Sequence, residues 1–119
     1  MVGLIGTLWP ATVVPLHGLP GQFTTHMTFI DIPGASGSTY RFRAWPDREG
    51  HAPIAGIFVV LSPQGEVLLI GSSNDLSMIK ATPLPSGALF TRLNVGRVLR
   101  SAEYADIRDA HPNAPVRED

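Results

Sequence analysis

The chain of 119 residues contains no cysteine. Disulfides, thiolate zinc sites, iron–sulfur clusters and cysteine nucleophiles are thereby excluded. Lysine is almost as scarce: Lys80 is the only one, and every other cationic side chain is arginine. No basic block appears, and the formal charge is −1. That balance weighs against tight nucleic-acid binding, which runs largely on phosphate neutralisation. Long apolar runs are missing too. The start, MVGLIGTLWPATVVPLHGLPG, is apolar, but Pro10 and Pro15 interrupt it and a positive n-region is lacking. Both points argue against a cleaved signal peptide and a membrane span. A cytoplasmic protein without membrane contact is the expectation.

What is present suits one domain. Apolar residues make up 44% of the chain, enough for a core at this length. Residues 1–22 are dense in proline and glycine and read as an extended arm, followed by one domain over 23–113 and a polar, mobile tail over 114–119. The arm's Leu8 and Trp9 invite packing on the body of the domain or on a second copy of the chain. Thr24 to Ile32 is rich in β-branched and aromatic residues and predicts a strand. In Ser38 to Trp45, Tyr40 and Phe42 share one face while Arg41 and Arg43 share the other, the alternation of a half-buried strand. The two segments predict a hairpin.

Ile57 to Leu61 and Val67 to Ile70 are apolar on both faces, as central strands covered on two sides are. Ser62-Pro63-Gln64-Gly65 between them suits a hairpin turn. Ser73 or Asn74 can cap a short helix over Leu76 to Lys80, stopped by Pro83 and Pro85. Ala88 to Leu93 predicts a further core strand. Asn94 can cap a final helix over Val95 to Ala110, with Val95, Val98, Leu99, Ala102 and Ala105 as its apolar side. The fold class is therefore α/β of the α+β kind: a small central antiparallel sheet with a buried hairpin flanked by two helices, preceded by the arm and a hairpin.

Gly56-Ile57-Phe58, ten residues, then Leu69-Ile70-Gly71 and Ser72-Ser73-Asn74-Asp75-Leu76 form a specific pattern. With the closing run Arg100 to Glu103, Asp106-Ile107 and His111-Pro112-Asn113, it resembles the GIY-YIG domain of DNA-cutting nucleases over roughly residues 38–113. The resemblance implies two tyrosines, an arginine and a glutamate that holds a divalent metal, Mg or Mn. The tyrosine positions carry Phe58 and Leu69, the arginine position carries Ile79, and Glu103 matches the glutamate with its spacing to Asp106 off by one. Phenylalanine, leucine and isoleucine neither transfer protons nor neutralise a phosphate, so the resemblance implies a kept fold without catalysis or cofactor.

Other groups have bland readings. Glu103 as a metal ligand lacks a second acid in the pattern. His17, His26, His51 and His111 are scattered and read as surface or loop histidines. Arg41 and Arg43 offer an anion or base-stacking face, or simply the wet side of a strand. Arg97 and Arg100 can meet a phosphate, but Glu103 and Asp106 offer them internal pairing first. Ser62, Ser72, Ser73 and Ser77 read as turn and cap residues. The functional expectation is a non-catalytic binding or assembly module, with a weakly active metal-dependent DNA endonuclease as one alternative and a profilin- or PAS-like ligand sensor as another. Five consecutive antiparallel strands in one sheet would make the nuclease-like assignment wrong.

Overall fold

The computed structural model describes residues 29–46 and 50–119. The arm over 1–22, most of the Thr24 to Ile32 strand segment, His17 and His26 lie outside the described residues. Among the described residues there are six strands: β1 Phe29–Pro33, β2 Thr39–Ala44, β3 Gly56–Leu61, β4 Val67–Ser73, β5 Ala88–Leu93 and β6 Val116–Glu118. They form one mixed sheet in the order β1-β2-β5-β3-β4-β6. A 3-10 helix spans Leu76–Ala81 and one α-helix, α1, spans Arg97–Ala110. The α+β class stands, on a sheet wider than the small one expected.

The hairpins follow their sequence cues. β1 and β2 pair antiparallel, Phe29 opposite Arg43 and Pro33 opposite Thr39. β3 and β4 pair antiparallel, Phe58 opposite Gly71. Their turn is built by Ser62, whose hydroxyl accepts from the backbone N–H of Gln64 (3.2 Å) and Glu66 (3.0 Å). Gly65 sits there at φ +89°, a left-handed conformation that favours glycine. Gly71 is required for a different reason. A Cβ at that position would stand 2.0 Å from the Phe58 ring, so the end of the ring occupies the space that a side chain would need.

The sheet separates two cores. On the α1 side, Ile30, Ile32, Phe42, Ile57, Val59, Ile70 and Phe90 pack against Tyr104 and Ile107 of α1. On the other side, Phe58, Val60, Leu69, Leu76 and Ile79 form a second cluster beneath the 3-10 helix. The apolar runs of β3 and β4 are explained by this two-sided cover, and all six residues of β3 are buried.

Four expectations are corrected. The short helix forms as a 3-10 helix, but its cap is Asp75, whose carboxylate accepts from the Ser77 N–H at 2.9 Å. Ser73 serves the preceding turn instead, accepting from the Asp75 N–H. The last helix begins at Arg97 with Gly96 at its cap position and no side-chain cap bond; Asn94 lies two residues before Gly96, its N–H donating to the Ala55 carbonyl and its own carbonyl accepting from Arg100. Most of the apolar side expected for that helix faces solvent: Val95, Val98, Leu99 and Ala102 are exposed and Ala105 is half-buried, while Arg100, Tyr104 and Ile107 are buried. The tail expected to be mobile supplies β6, which pairs parallel to β4 with Ile70 opposite Val116.

Candidate functional site

Phe58, Leu69 and Ile79, the positions where the resemblance implies two tyrosines and an arginine, do come together. They do so as a dry cluster, with Phe58 and Ile79 fully buried and Leu69 nearly so. An arginine is present after all, from an element that the pattern did not include. The Arg117 guanidinium of β6 lies 5.1 Å from the Phe58 ring centroid and donates to the Ile79 carbonyl at 2.7 Å. Its charge is met by Asp119 at 2.9 Å. Arg117 thus closes the end of the 3-10 helix and covers the cluster.

Glu103 lies elsewhere. It projects from α1 on the opposite side of the sheet, where Arg92 of β5 binds both of its oxygens at 2.8 and 3.2 Å. The Arg92 bond holds the Glu103 carboxyl below its ordinary range, against the opposing effect of burial. The guanidinium also lies 5.3 Å from the Tyr40 ring centroid. One turn on, Asp106 accepts from the Ser36 hydroxyl (2.6 Å), the Tyr40 hydroxyl (2.7 Å) and the Ser36 N–H (2.8 Å). Those bonds, the Ser36 hydroxyl first, depress the Asp106 pKa, and the Tyr40 hydroxyl is raised in return. Glu103 and Asp106 thus fasten α1 to the first hairpin and β5. No group of three metal-ligating side chains occurs among the described residues.

Arg100 does not meet either acid. Only 7% exposed, it donates to the carbonyls of Asn94 (3.0 Å) and Val95 (3.1 Å) and to Asn74 Oδ1 (2.9 Å). It ties the loop after β4 to the loop before α1, and its burial leaves no room for a phosphate role. Arg97 is exposed.

The face that presents usable chemistry is the part of the second sheet surface that the 3-10 helix does not reach. Over β1, β2 and β5 a cavity of about 350 Å³ is lined by Phe29, Arg41, Arg43, His51, Thr91 and Leu93, among others. Strand alternation points Arg41 and Arg43 into it together, as the spacing predicts. Arg41 has an exposed partner in Asp31 at 3.3 Å and lies 5.8 Å from the Phe29 ring centroid. His51 is no idle loop histidine. Its Nε2 is 2.9 Å from the Thr91 hydroxyl and its Nδ1 is 2.8 Å from the Ala52 carbonyl. A carbonyl only accepts, so Nδ1 donates to Ala52, and the Thr91 hydroxyl is the partner of Nε2. His51 and Thr91 lie far apart in the chain, so no local pattern announces their pairing, and the same holds for Asp106 with Ser36 and Tyr40.

Comparisons with family models, with curated proteins and with solved structures return no match. Among the described residues no helix is long and apolar enough to cross a membrane.

Proposed function

We propose that this chain is a non-catalytic binding module of the cytoplasm that holds a small anionic ligand with an apolar part. The observation that supports it is the cavity over β1, β2 and β5. Its volume lies in the range of small-molecule sites. Two guanidinia enter from one strand face, and Phe29 and Leu93 supply an apolar wall. Arginine forks suit carboxylate and phosphate oxygens, and an aromatic ring beside them suits a planar ligand.

The absence of catalysis is supported by the placement of the family positions. Phe58, Leu69 and Ile79 are on one side of the sheet and Glu103 is on the other. A nuclease-like core is further weakened by the breadth of the sheet. β1, β2, β5, β3 and β4 are five neighbouring antiparallel strands, although β5 breaks their order along the chain. That breadth favours the ligand-sensor alternative over the endonuclease one.

Calorimetric titration with nucleoside monophosphates and with aromatic carboxylates tests the reading. The expected result is saturable binding to at least one class, weakened about tenfold or more by Arg43→Ala, which corresponds to one lost ionic contact. Binding to neither class, or binding indifferent to Arg41→Ala and Arg43→Ala, overturns it. Metal-dependent nicking of plasmid DNA, abolished by Glu103→Ala, would replace it with the nuclease.

A further inference from the structure

A second cavity stands at the other end of β2 and β5. Along β2, Arg43 lines the first cavity and Trp45, two positions on and so on the same face, lines the second. Along β5 the same step leads from Thr91 back to Leu89. The two chain segments stay paired there, with the Trp45 N–H donating to the Leu89 carbonyl at 2.9 Å. The cavity measures about 610 Å³, within the range of small-molecule sites.

Its floor is apolar. Trp45, Leu84 and Leu89 pack against the cluster of Phe58, Val60 and Leu69, and Val60 itself reaches the cavity. Its wall is the segment from Thr82 to Gly87, where the rings of Pro83 and Pro85 fix φ. That segment is held at both ends. Arg117 donates to the Ile79 carbonyl at 2.7 Å and to the Pro83 carbonyl at 3.4 Å, and Ala88 is paired with Leu61 of β3. A wall so fastened costs a ligand little ordering on binding.

Lys80, the single lysine of the chain, is the one charged side chain in the lining among the described residues. Its ammonium stands 4.6 Å from the Trp45 ring centroid, where attraction to the ring holds it at the cavity. An ammonium is a point charge with three donors, without the guanidinium fork that suits a phosphate. One such charge beside an apolar floor complements a monoanion with an apolar body. We infer that this cavity is a second ligand site, separate from the arginine-lined one, and that it takes a small aliphatic carboxylate, with the charged end on Lys80 and the chain on Trp45, Leu84 and Leu89.

Trp45 reports on occupancy once the other tryptophan is removed by Trp9→Phe. In that full-length background, titration with butyrate, hexanoate and octanoate is expected to change Trp45 emission saturably. Affinity should rise by up to about fourfold for each added methylene. Lys80 is exposed, so its replacement leaves both cores intact. Lys80→Gln should weaken octanoate about fivefold, the size of one partly exposed ionic contact, and Arg43→Ala should leave it unchanged. Octanamide, which has no charge, should bind equally with and without Lys80. The absence of saturation with all three acids overturns the inference. So does octanoate binding that is indifferent to Lys80→Gln, or lost on Arg43→Ala, which would assign the acid to the arginine-lined cavity. An equal loss of octanamide and octanoate on Lys80→Gln overturns it too, since Lys80 would then act only on the shape of the cavity. Anion binding in the first cavity turns on Arg43 and carboxylate binding in the second on Lys80, so either can fail alone.

Discussion

The second surface of the sheet has two unlike regions. Over β3 and β4 it carries Phe58, Val60 and Leu69, and the chain returns as a 3-10 helix to cover them. Over β1, β2 and β5 it carries Arg41, Arg43 and Thr91, and a cavity stands there instead. The sheet is hydrogen-bonded without a break from one region to the other, so backbone pairing does not make the difference. Side chains do. Apolar side chains draw a covering element because burying them is favourable, whereas guanidinia lose hydration under such a cover. The region that resembles a nuclease is therefore the one least able to meet a substrate.

Substitutions that exchange the character of the two regions test this most severely. Ile79→Arg puts an unpaired cation in the covered cluster and should cost several kcal/mol, enough to unfold a domain of ordinary stability. Loss of the cooperative thermal transition checks it. Phe58→Ala should cost about 3–5 kcal/mol by urea titration, since it empties the centre of the same cluster. In the open region the expectation reverses. Arg41→Ala and Arg43→Ala should change stability by no more than about 0.5 kcal/mol while removing anion binding. A large loss of stability from either would show that this region, too, is built as a core.

Acid should act through a third place, the acids of α1. The folded-state pKa values of Glu103 and Asp106 are depressed. Their stabilisation is therefore complete well above the unfolded carboxylate values, about 3.9 to 4.3, and is lost as pH falls through that range toward the folded values. Urea melts of the Glu103→Gln/Asp106→Asn variant should show a flatter dependence on pH between 6 and 2, to roughly that extent, than the parent. The smallest effect is expected at Tyr104, whose buried hydroxyl has no hydrogen-bond partner among the described residues. Tyr104→Phe removes that unsatisfied group, and should be neutral or stabilise by up to about 1 kcal/mol.

Much of the framework was legible in the residues. The two-sided apolar runs marked β3 and β4 as central, Ala88–Leu93 was bounded as observed, and the alternation in β2 put Arg41 and Arg43 on one open face. The helix shows where such reading fails. Periodicity locates an apolar stripe but does not say which stripe meets the sheet. The stripe that meets the sheet is the one with Tyr104 and Ile107, and the same side of the helix carries Arg100 to the carbonyls of Asn94 and Val95. β6 was missed because a three-residue strand has no period to detect. The ion pair of Arg92 with Glu103 and the bond of His51 to Thr91 join distant segments, and only the folded chain brings them together.

The parallel pairing of β6 with β4 also has a kinetic consequence. Between those strands the chain must first complete the 3-10 helix, β5 and α1. Parallel contacts of such long sequence separation close after local hairpins have formed. β6 and its Arg117 should thus be absent from the folding nucleus. Arg117→Ala should then leave the refolding limb of a chevron plot in place and raise the unfolding limb, so that Arg117 governs how long the native state lasts rather than how fast it is reached.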